Sequence, residues 1–122
     1  MVEHFQEVAT QIINTYKPPT DTLVIDVGSN DGSLLKPFKE KGFRVLGVDP
    51  AKEIAEVATA SGILTIPELF TEKLAHEIKD KYGSASVITA FNSYAHADNL
   101  EDLTLGIRYL LKDDGVFIFE VQ

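Results

Sequence analysis

Short apolar runs alternate with amphipathic segments along this chain of 122 residues, and this alternation limits the possible folds more than any other feature. The runs are rich in β-branched and aromatic residues, whereas the segments between them repeat apolar residues at helical spacing. The predicted strands cover 22–27, 43–49, 62–66, 85–91 and 116–121, and the predicted helices cover 3–16, 33–41, 50–60, 71–82 and 99–112. The element order is therefore αβαβαβαβαβ.

Continuously apolar strands separated by helices indicate a parallel sheet that is covered on both faces. With right-handed crossovers, the fold class is α/β, a doubly wound, Rossmann-like three-layer sandwich with five parallel strands in the order 3-2-1-4-5. Ligands of such sheets bind beyond the carboxyl ends of the strands, beside strand one. The unusual residues of this sequence fall at those ends: Asp26–Gly32, Asp49, Pro67–Glu68, Phe91–His96 and Glu120.

Local signals predict how the helices begin and which side they bury. The inward residues should be Phe5, Val8, Ile12 and Tyr16 in the first helix, Leu34, Leu35 and Phe38 in the second, and Leu100, Leu103, Ile107 and Leu110 in the last. Pro50 suits the first position of its helix. Asp98 and Glu101 suit the cap and first turn of the last helix, and Asp113–Gly115 should form a turn before the fifth strand.

Composition argues against several classes of function. The net charge is −8 with no basic cluster, which disfavours nucleic acid and anionic membranes as partners. No segment resembles a membrane helix or a signal peptide. The chain has no cysteine, so thiolate catalysis and cysteine-ligated zinc are excluded, and a cytoplasmic location is expected. His4, His76 and His96 are dispersed without metal-ligand spacing, so no metal is predicted.

The segment D-V-G-S-N-D-G at 26–32 joins the first strand to the next helix. Gly28 permits a sharp turn, and its missing Cβ lets a ligand lie against the backbone. The helix N-terminus behind the loop should offer N–H groups to a carboxylate or phosphate. A plain strand-to-helix turn would look the same, so the loop alone leaves both interpretations open.

Asp49 closes the second strand, 21 positions after Gly28. A carboxylate about 20 residues beyond a glycine loop can accept the ribose hydroxyls of an adenosine. The alternative is that an Asp before Pro50 is simply a helix N-cap. The joint occurrence of loop and acid at this separation favours the ribose role.

Asp26 and Asn30 indicate which adenosine cofactor suits the loop. Asn30 stands where a dinucleotide-binding G-x-G-x-x-G loop has its second glycine, the one that lets a pyrophosphate approach closely. A carboxylate at Asp26 would repel a pyrophosphate and attract an ammonium group. S-adenosylmethionine carries an ammonium and a sulfonium but no phosphate, so the charges favour S-adenosylmethionine over NAD.

From residue 22 onward the chain resembles class I S-adenosylmethionine-dependent methyltransferases, through D-x-G-x-x-x-G, Asp49, the polar segment after strand four and L-L-K-D-D-G-V-F-I-F-E. G-S-N-D-G-S-L-L-K-P-F and the closing F-E-V-Q resemble the core of sugar C-methyltransferases, which act on nucleotide-linked keto-deoxyhexoses. The resemblance implies a cofactor-binding domain over 1–122, with an N-terminal helix and linker at 1–20 and a core at 21–122. It also implies a small-molecule methyl acceptor such as a nucleotide-linked deoxysugar.

The resemblance places the methionine part of the cofactor beside 91–93 and the adenine beside 67–69, with Leu69 or Phe70 covering the ring. His96 is a candidate general base without an identifiable acid partner, and the catalytic residues are otherwise unknown. The complete set of candidate cofactor-binding residues is Asp26, Gly28, Ser29, Asn30, Gly32, Asp49, Pro50, Glu68, Phe91, Asn92 and Ser93.

The same family has a cysteine-rich domain before the core and a Tyr-His-Glu-His segment after it, and its sheet has seven strands. This chain therefore resembles a cofactor-binding part with a truncated sheet. Two other functions stay open: an NAD(P)-binding oxidoreductase fragment, and a non-catalytic module that binds a cofactor or a partner. If the chain ends at Gln122, the last strand is an unprotected edge that invites pairing with another chain, so either a homodimer through that edge or instability is expected.

Overall fold

The computed structural model describes residues 2–91 and 100–119. The helices are α1 (Val2–Tyr16), α2 (Leu35–Glu40), α3 (Lys52–Ala60), α4 (Glu72–Tyr82) and α5 (Leu100–Leu110). The strands are β1 (Leu23–Val27), β2 (Arg44–Val48), β3 (Thr65–Ile66), β4 (Ala85–Ala90) and β5 (Leu111–Phe119). All strand pairs are parallel and form one sheet in the order β3-β2-β1-β4-β5. The predicted fold class and strand order are confirmed.

Alternate residues of each strand point to opposite sides of the sheet, and helices pack against the apolar residues on both sides. Val24 and Val87 face the side on which α1, α2 and α3 pack. Ile25 and Ile88 face the other side, against α4 and α5. Both layers are built from buried apolar side chains, so β1 and β4 are continuously apolar apart from a few polar residues. Those polar residues are the ones that need an explanation.

The shortest helix illustrates how the local sequence builds an element. Leu35 and Phe38 of α2, and Leu34 directly before it, are buried as predicted, because all three pack against the sheet. Pro37 lies in the first turn of α2, where a missing N–H has no helical acceptor to lose. Phe38 also makes an edge-on contact with Phe43, at 6.0 Å between ring centres, which joins α2 to the start of β2.

Two residues predicted to be inward are half exposed. Tyr16 and Leu100 each expose 50% of their surface. Tyr16 is the last residue of α1 and Leu100 is the first residue of α5, and a residue at a helix end extends past the surface that covers the middle of the helix. The periodic pattern was correct for Ile12 and Ile107 in the interior of these helices and for Leu110 at the end of α5, all of which are buried.

Two other local predictions are also wrong in detail. Pro50 does not open α3, because Asp49 accepts the N–H of Ala51 and makes a turn before the helix begins at Lys52. Asp113–Gly115 lie inside β5 instead of before it. Ala85 pairs with Leu111 while Val87 pairs with Val116, so β5 carries extra residues and bulges here. The predicted cap Asp98 lies outside the described residues.

Candidate functional site

The loop between β1 and α2 is built from residues with left-handed backbone. Gly28, Asn30 and Gly32 have φ angles of 76°, 58° and 84°. The N–H groups of Gly28 and Ser29 both donate to the Val48 carbonyl, at 2.7 and 3.2 Å. The loop therefore continues the pairing of β1 with β2 beyond the last strand residue, and this fixes its path over the sheet edge. Glycine suits two of these positions because it adopts positive φ without strain.

Asp49 ties this loop to the next one. Its Oδ2 accepts the N–H of Asn30 at 2.8 Å, and its Oδ1 accepts the N–H of Ala51 at 2.9 Å. Asp49 is thus held by a turn before α3, not by the first turn of the helix as an ordinary N-cap would be. Each carboxylate oxygen accepts one N–H here and has a further lone pair for a ribose hydroxyl.

Asp26 is buried in the sheet, with 2% of its surface exposed. Thr89 of β4 donates its hydroxyl to Asp26 Oδ1 at 2.8 Å. Burial raises the pKa of Asp26 from 3.8 to about 7; the Thr89 bond opposes that rise, and the nearby charge of Asp49 adds to it. The sequence predicted a charged carboxylate at the mouth of strand one, whereas Asp26 lies within β1, whose five side chains are all buried.

A polar row crosses the sheet at the level of Asp26. Asp26 pairs in register with Gly47 on one side and Thr89 on the other, and Gly47 pairs with Thr65. Residues paired in register in a parallel sheet point to the same face, which here is the face covered by α1, α2 and α3. The row therefore lies directly beneath the β1–α2 loop.

Gly47 makes room for Ser29 within this row. A Cβ added at Gly47 would lie 2.4 Å from Ser29 Oγ, so no larger residue fits without moving the loop. Ser29 is 3% exposed, and its hydroxyl has no hydrogen-bond partner among the described residues. A glycine inside an apolar strand is a signal of close backbone approach, and this signal could have identified Gly47 from the sequence.

The remaining predicted residues lie farther out or outside the described part. Pro50 and Glu68 are exposed, and the Glu68 N–H donates to the same Ile66 carbonyl that accepts the Asp49 N–H. Phe91 is half-buried against the core beside α1 and α2. Asn92, Ser93, His96 and Glu120 lie outside the described residues.

Leu69 and Phe70 differ clearly in solvent exposure. Leu69 exposes 55% of its surface, whereas Phe70 is 5% exposed and belongs to the core between the sheet and α4 and α5. Phe70 therefore cannot cover a ligand from this position, and Leu69 is the apolar side chain of the pair that is available to an adenine ring.

The hydrogen bonds of the loop amides indicate which ligand the site fits. The N–H groups of Gly28, Ser29, Asn30, Gly32 and Ser33 all donate to oxygens of the protein. The predicted supply of N–H groups for a phosphate is therefore largely used within the loop itself. A pyrophosphate needs such groups, whereas an adenosine compound with hydroxyls and an ammonium needs carboxylates, which Asp49 and Asp26 provide.

No group of three or more His, Asp or Glu side chains in the described ranges is arranged to hold a metal ion. Within the same ranges, no helix has both the length and the apolar character needed to cross a membrane. The polar row and the two tied loops are thus the features of the described sheet that point to a ligand.

Comparisons with known proteins identify the family of the chain. A family model described as a methyltransferase domain matches residues 1–122. The C-methyltransferase NovU of Streptomyces niveus is 33% identical over 121 residues, which cover 99% of this chain and 29% of NovU. A methyltransferase of Alkaliphilus oremlandii is 28% identical over 115 residues, which cover 88% of this chain and 48% of that relative.

Solved structures share the fold. CalS10, an amino pentose methyltransferase from Micromonospora echinaspora solved with S-adenosylmethionine bound, superimposes with a TM-score of 0.73 at 17% identity. The match covers 98% of this chain and 50% of CalS10. The chain spans less than half the length of the two curated relatives above, so the activity of a whole enzyme is a separate question from the fold of this part.

Proposed function

The chain belongs to the methyltransferase-domain family, and from this premise we propose that it forms the S-adenosylmethionine-binding domain of an enzyme that methylates a small molecule. The observation that carries the proposal is the distribution of hydrogen-bonding groups at the carboxyl edge of the sheet. The loop amides are bonded within the protein, while the carboxylate of Asp49 lies directly after β2 and that of Asp26 lies buried near the end of β1. This set suits a cationic, phosphate-free adenosine compound.

Named residues would hold the parts of the cofactor. Asp49 would accept the ribose hydroxyls, and Asp26 would pair with the ammonium group. Leu69 and Glu68 would lie beside the adenine, and the segment 91–93 would lie beside the methionine part. When bound, S-adenosylmethionine supplies a methyl group on a sulfonium, and the protein contributes mainly by positioning an acceptor in line with it.

The acceptor that we propose is a nucleotide-linked deoxysugar. This choice is supported by the name of NovU, a C-methyltransferase, and by that of CalS10, an amino pentose methyltransferase. A carbon acceptor requires a base to form an enolate, and His96 is the candidate within this chain. We also place Gly28, Ser29, Asn30, Gly32 and Pro50 among the residues that would contact the cofactor.

The extent of the domain, its location and its partners are also part of what we propose. We propose one cofactor-binding domain over 1–122, with its core at 21–122, located in the cytoplasm and without a nucleic-acid partner. The absence of cysteine supports the cytoplasmic location, and the net charge of −8 argues against a nucleic-acid partner. We also propose that two copies pair through the β5 edge, since β5 borders the described sheet and Phe119 is 58% exposed.

Ligand-induced stabilisation tests the cofactor. At a ligand concentration of a hundred times Kd, S-adenosylhomocysteine should raise the free energy of unfolding by about 2.7 kcal/mol, and NADH should not raise it. Asp49→Ala should weaken S-adenosylhomocysteine binding in calorimetry. Glu53→Ala is the matched control, because it removes an exposed carboxylate from the first turn of α3 without touching either loop contact.

The possible results separate the candidate functions. Stabilisation by NADH alone would contradict the proposal and favour an oxidoreductase fragment, which the family match does not favour. No stabilisation by either compound would favour a partner-binding module. Equal affinity for S-adenosylhomocysteine in Asp49→Ala and the unaltered protein would contradict the role of Asp49.

A further inference from the structure

We propose that Thr89 is a positioning residue for the cofactor: it holds one oxygen of the Asp26 carboxylate in place and leaves the other for the entering ammonium group, which displaces a proton from Asp26 to the solvent. This inference rests on the proposed function, because it assigns a partner to the cofactor's ammonium. Thr89 was not identified from the sequence, where a threonine in an apolar run reads as an ordinary strand residue.

The geometry restricts what the Thr89 hydroxyl can do. Thr89 is fully buried, and its backbone pairs with Asp26 on β1 and with Ile118 on β5. Its single hydroxyl proton has two acceptors in reach, Asp26 Oδ1 at 2.8 Å and the Ile25 carbonyl at 3.5 Å. The shorter bond is the stronger one, so Thr89 fixes one carboxylate oxygen and leaves Oδ2 for the ligand.

The charges around Asp26 explain why a proton must leave. Burial and the negative charge of Asp49 raise the pKa of Asp26 to about 7, while the Thr89 bond acts in the opposite direction. No cation of the described residues is among the causes of this shift. An ammonium at Oδ2 would supply the missing positive charge and would favour the ionised form.

Proton release should therefore accompany binding, in an amount that depends on pH. With Asp26 half protonated near pH 7 in the free protein, binding should release about 0.9 proton per ligand at pH 6 and about 0.1 at pH 8. The ammonium of the ligand stays charged throughout this range, so it does not contribute to the count.

Calorimetric titration with S-adenosylhomocysteine tests this inference. The heats at pH 6, 7 and 8, measured in two buffers of different ionisation enthalpy, give the number of protons released. Thr89→Val should extend proton release to pH 8 and weaken binding there by about tenfold, because a charge-assisted hydrogen bond is lost. Thr89→Ser keeps a hydroxyl and should restore the behaviour of the unaltered protein.

Ser86→Ala is the matched control for loss of stability. Ser86 lies on the same strand, is buried, and bonds the Thr22 hydroxyl at 2.7 Å near the opposite end of β1. It should lower the melting temperature without changing proton release. Circular dichroism and thermal unfolding of every variant, with and without ligand, identify any variant that does not fold.

Two results would overturn the role of Thr89: equal proton release at pH 6 and pH 8 in the unaltered protein, or identical titrations for Thr89→Val and Ser86→Ala. Should Thr89→Val not fold, Asp26→Asn replaces it, and it should abolish proton release at pH 6. A proton release retained in Asp26→Asn would also overturn the inference. Absence of any S-adenosylhomocysteine binding to the unaltered protein would instead contradict the proposed function.

Discussion

At the scale of single residues, Asp26 makes the stability of the free protein depend on pH. Its pKa is about 7 in the folded state and 3.8 in its ordinary surroundings. Between these values the folded state binds a proton that the unfolded state has lost, so the free energy of unfolding falls as pH rises. The stability that the folded protein has with Asp26 protonated is fully present below about pH 4. It is lost at about 1.4 kcal/mol per pH unit as the pH rises to 7.

Asp26→Asn should remove this dependence, because the amide keeps an acceptor for Thr89 and does not titrate. Relative to the unaltered protein, the variant should gain on the order of 4 kcal/mol in unfolding free energy between pH 4 and pH 8. Urea unfolding at a series of pH values measures the difference. Asp113→Asn, an exposed acid in β5, is the control and should show no such trend.

Parallel pH profiles for Asp26→Asn and the unaltered protein would show that Asp26 is ionised, or solvated, in the folded state. That outcome would also remove the support that burial gives to proton-linked binding.

At the scale of elements, Gly106 lets α5 approach the start of α4. A Cβ at Gly106 would lie 2.8 Å from Phe70 Cε1 and 3.2 Å from the Thr71 carbonyl oxygen. Asp102 of α5 reinforces this contact by accepting the N–H of Glu72 at 2.9 Å. The two helices are therefore joined at the point where the chain leaves the loop after β3.

Gly106→Ala should destabilise the protein although alanine is the better helix former. The helical preference gains about 1 kcal/mol, but overpacking against a buried ring and a backbone carbonyl costs about 1–3 kcal/mol. We expect a net loss of about 1 kcal/mol in urea unfolding. Thr104→Ala, on the exposed face of α5, should stay within about 0.5 kcal/mol of the unaltered protein. A gain of stability in Gly106→Ala would show that the helices separate easily.

The elements were largely predictable from sequence, and the contacts between them were not. Periodicity identified five helices and five strands, since each apolar face is repeated along a continuous segment. The Thr89–Asp26 bond joins residues 63 positions apart in the chain, and the Ser29 hydroxyl, which has no hydrogen-bond partner in the described part of the chain, is accommodated by Gly47 of the next strand. Such pairings depend on register, which the linear pattern does not contain.

The candidate site was predicted in part for the same reason. Gly28 and Asp49 directly follow strands, Gly32 lies in the loop before α2, and all three are visible as breaks in an apolar pattern. The burial of Asp26 was missed because a carboxylate next to a glycine loop suggests an exposed end, whereas the loop turns only after Val27. The bulge in β5 was read as a turn because Asp-Asp-Gly has the composition of a turn.

At the scale of the whole molecule, the β5 edge makes the proposed association of two copies testable. Phe117 and Phe119 stack at 5.2 Å between ring centres, and Phe119 is largely exposed at the border of the described sheet. If two copies pair along this edge, sedimentation equilibrium should show a concentration-dependent dimer, because the border strand of the described sheet would offer backbone groups to a second strand.

Phe119→Lys should shift this equilibrium towards the monomer, because a charged side chain at an edge opposes pairing. Val57→Lys is the control, since Val57 is 64% exposed on α3, away from β5. A strict monomer at high concentration in the unaltered protein would contradict the proposed pairing, as would equal dissociation in both variants.

The two bonds accepted by Asp49 have a consequence for motion. Because one carboxylate holds the Asn30 amide of the first loop and the Ala51 amide of the second, neither loop opens fully without releasing the shared anchor. We therefore expect the two amides to be protected from hydrogen exchange together. A small molecule bound to Asp49 should therefore slow hydrogen exchange at the Asn30 and Ala51 amides together.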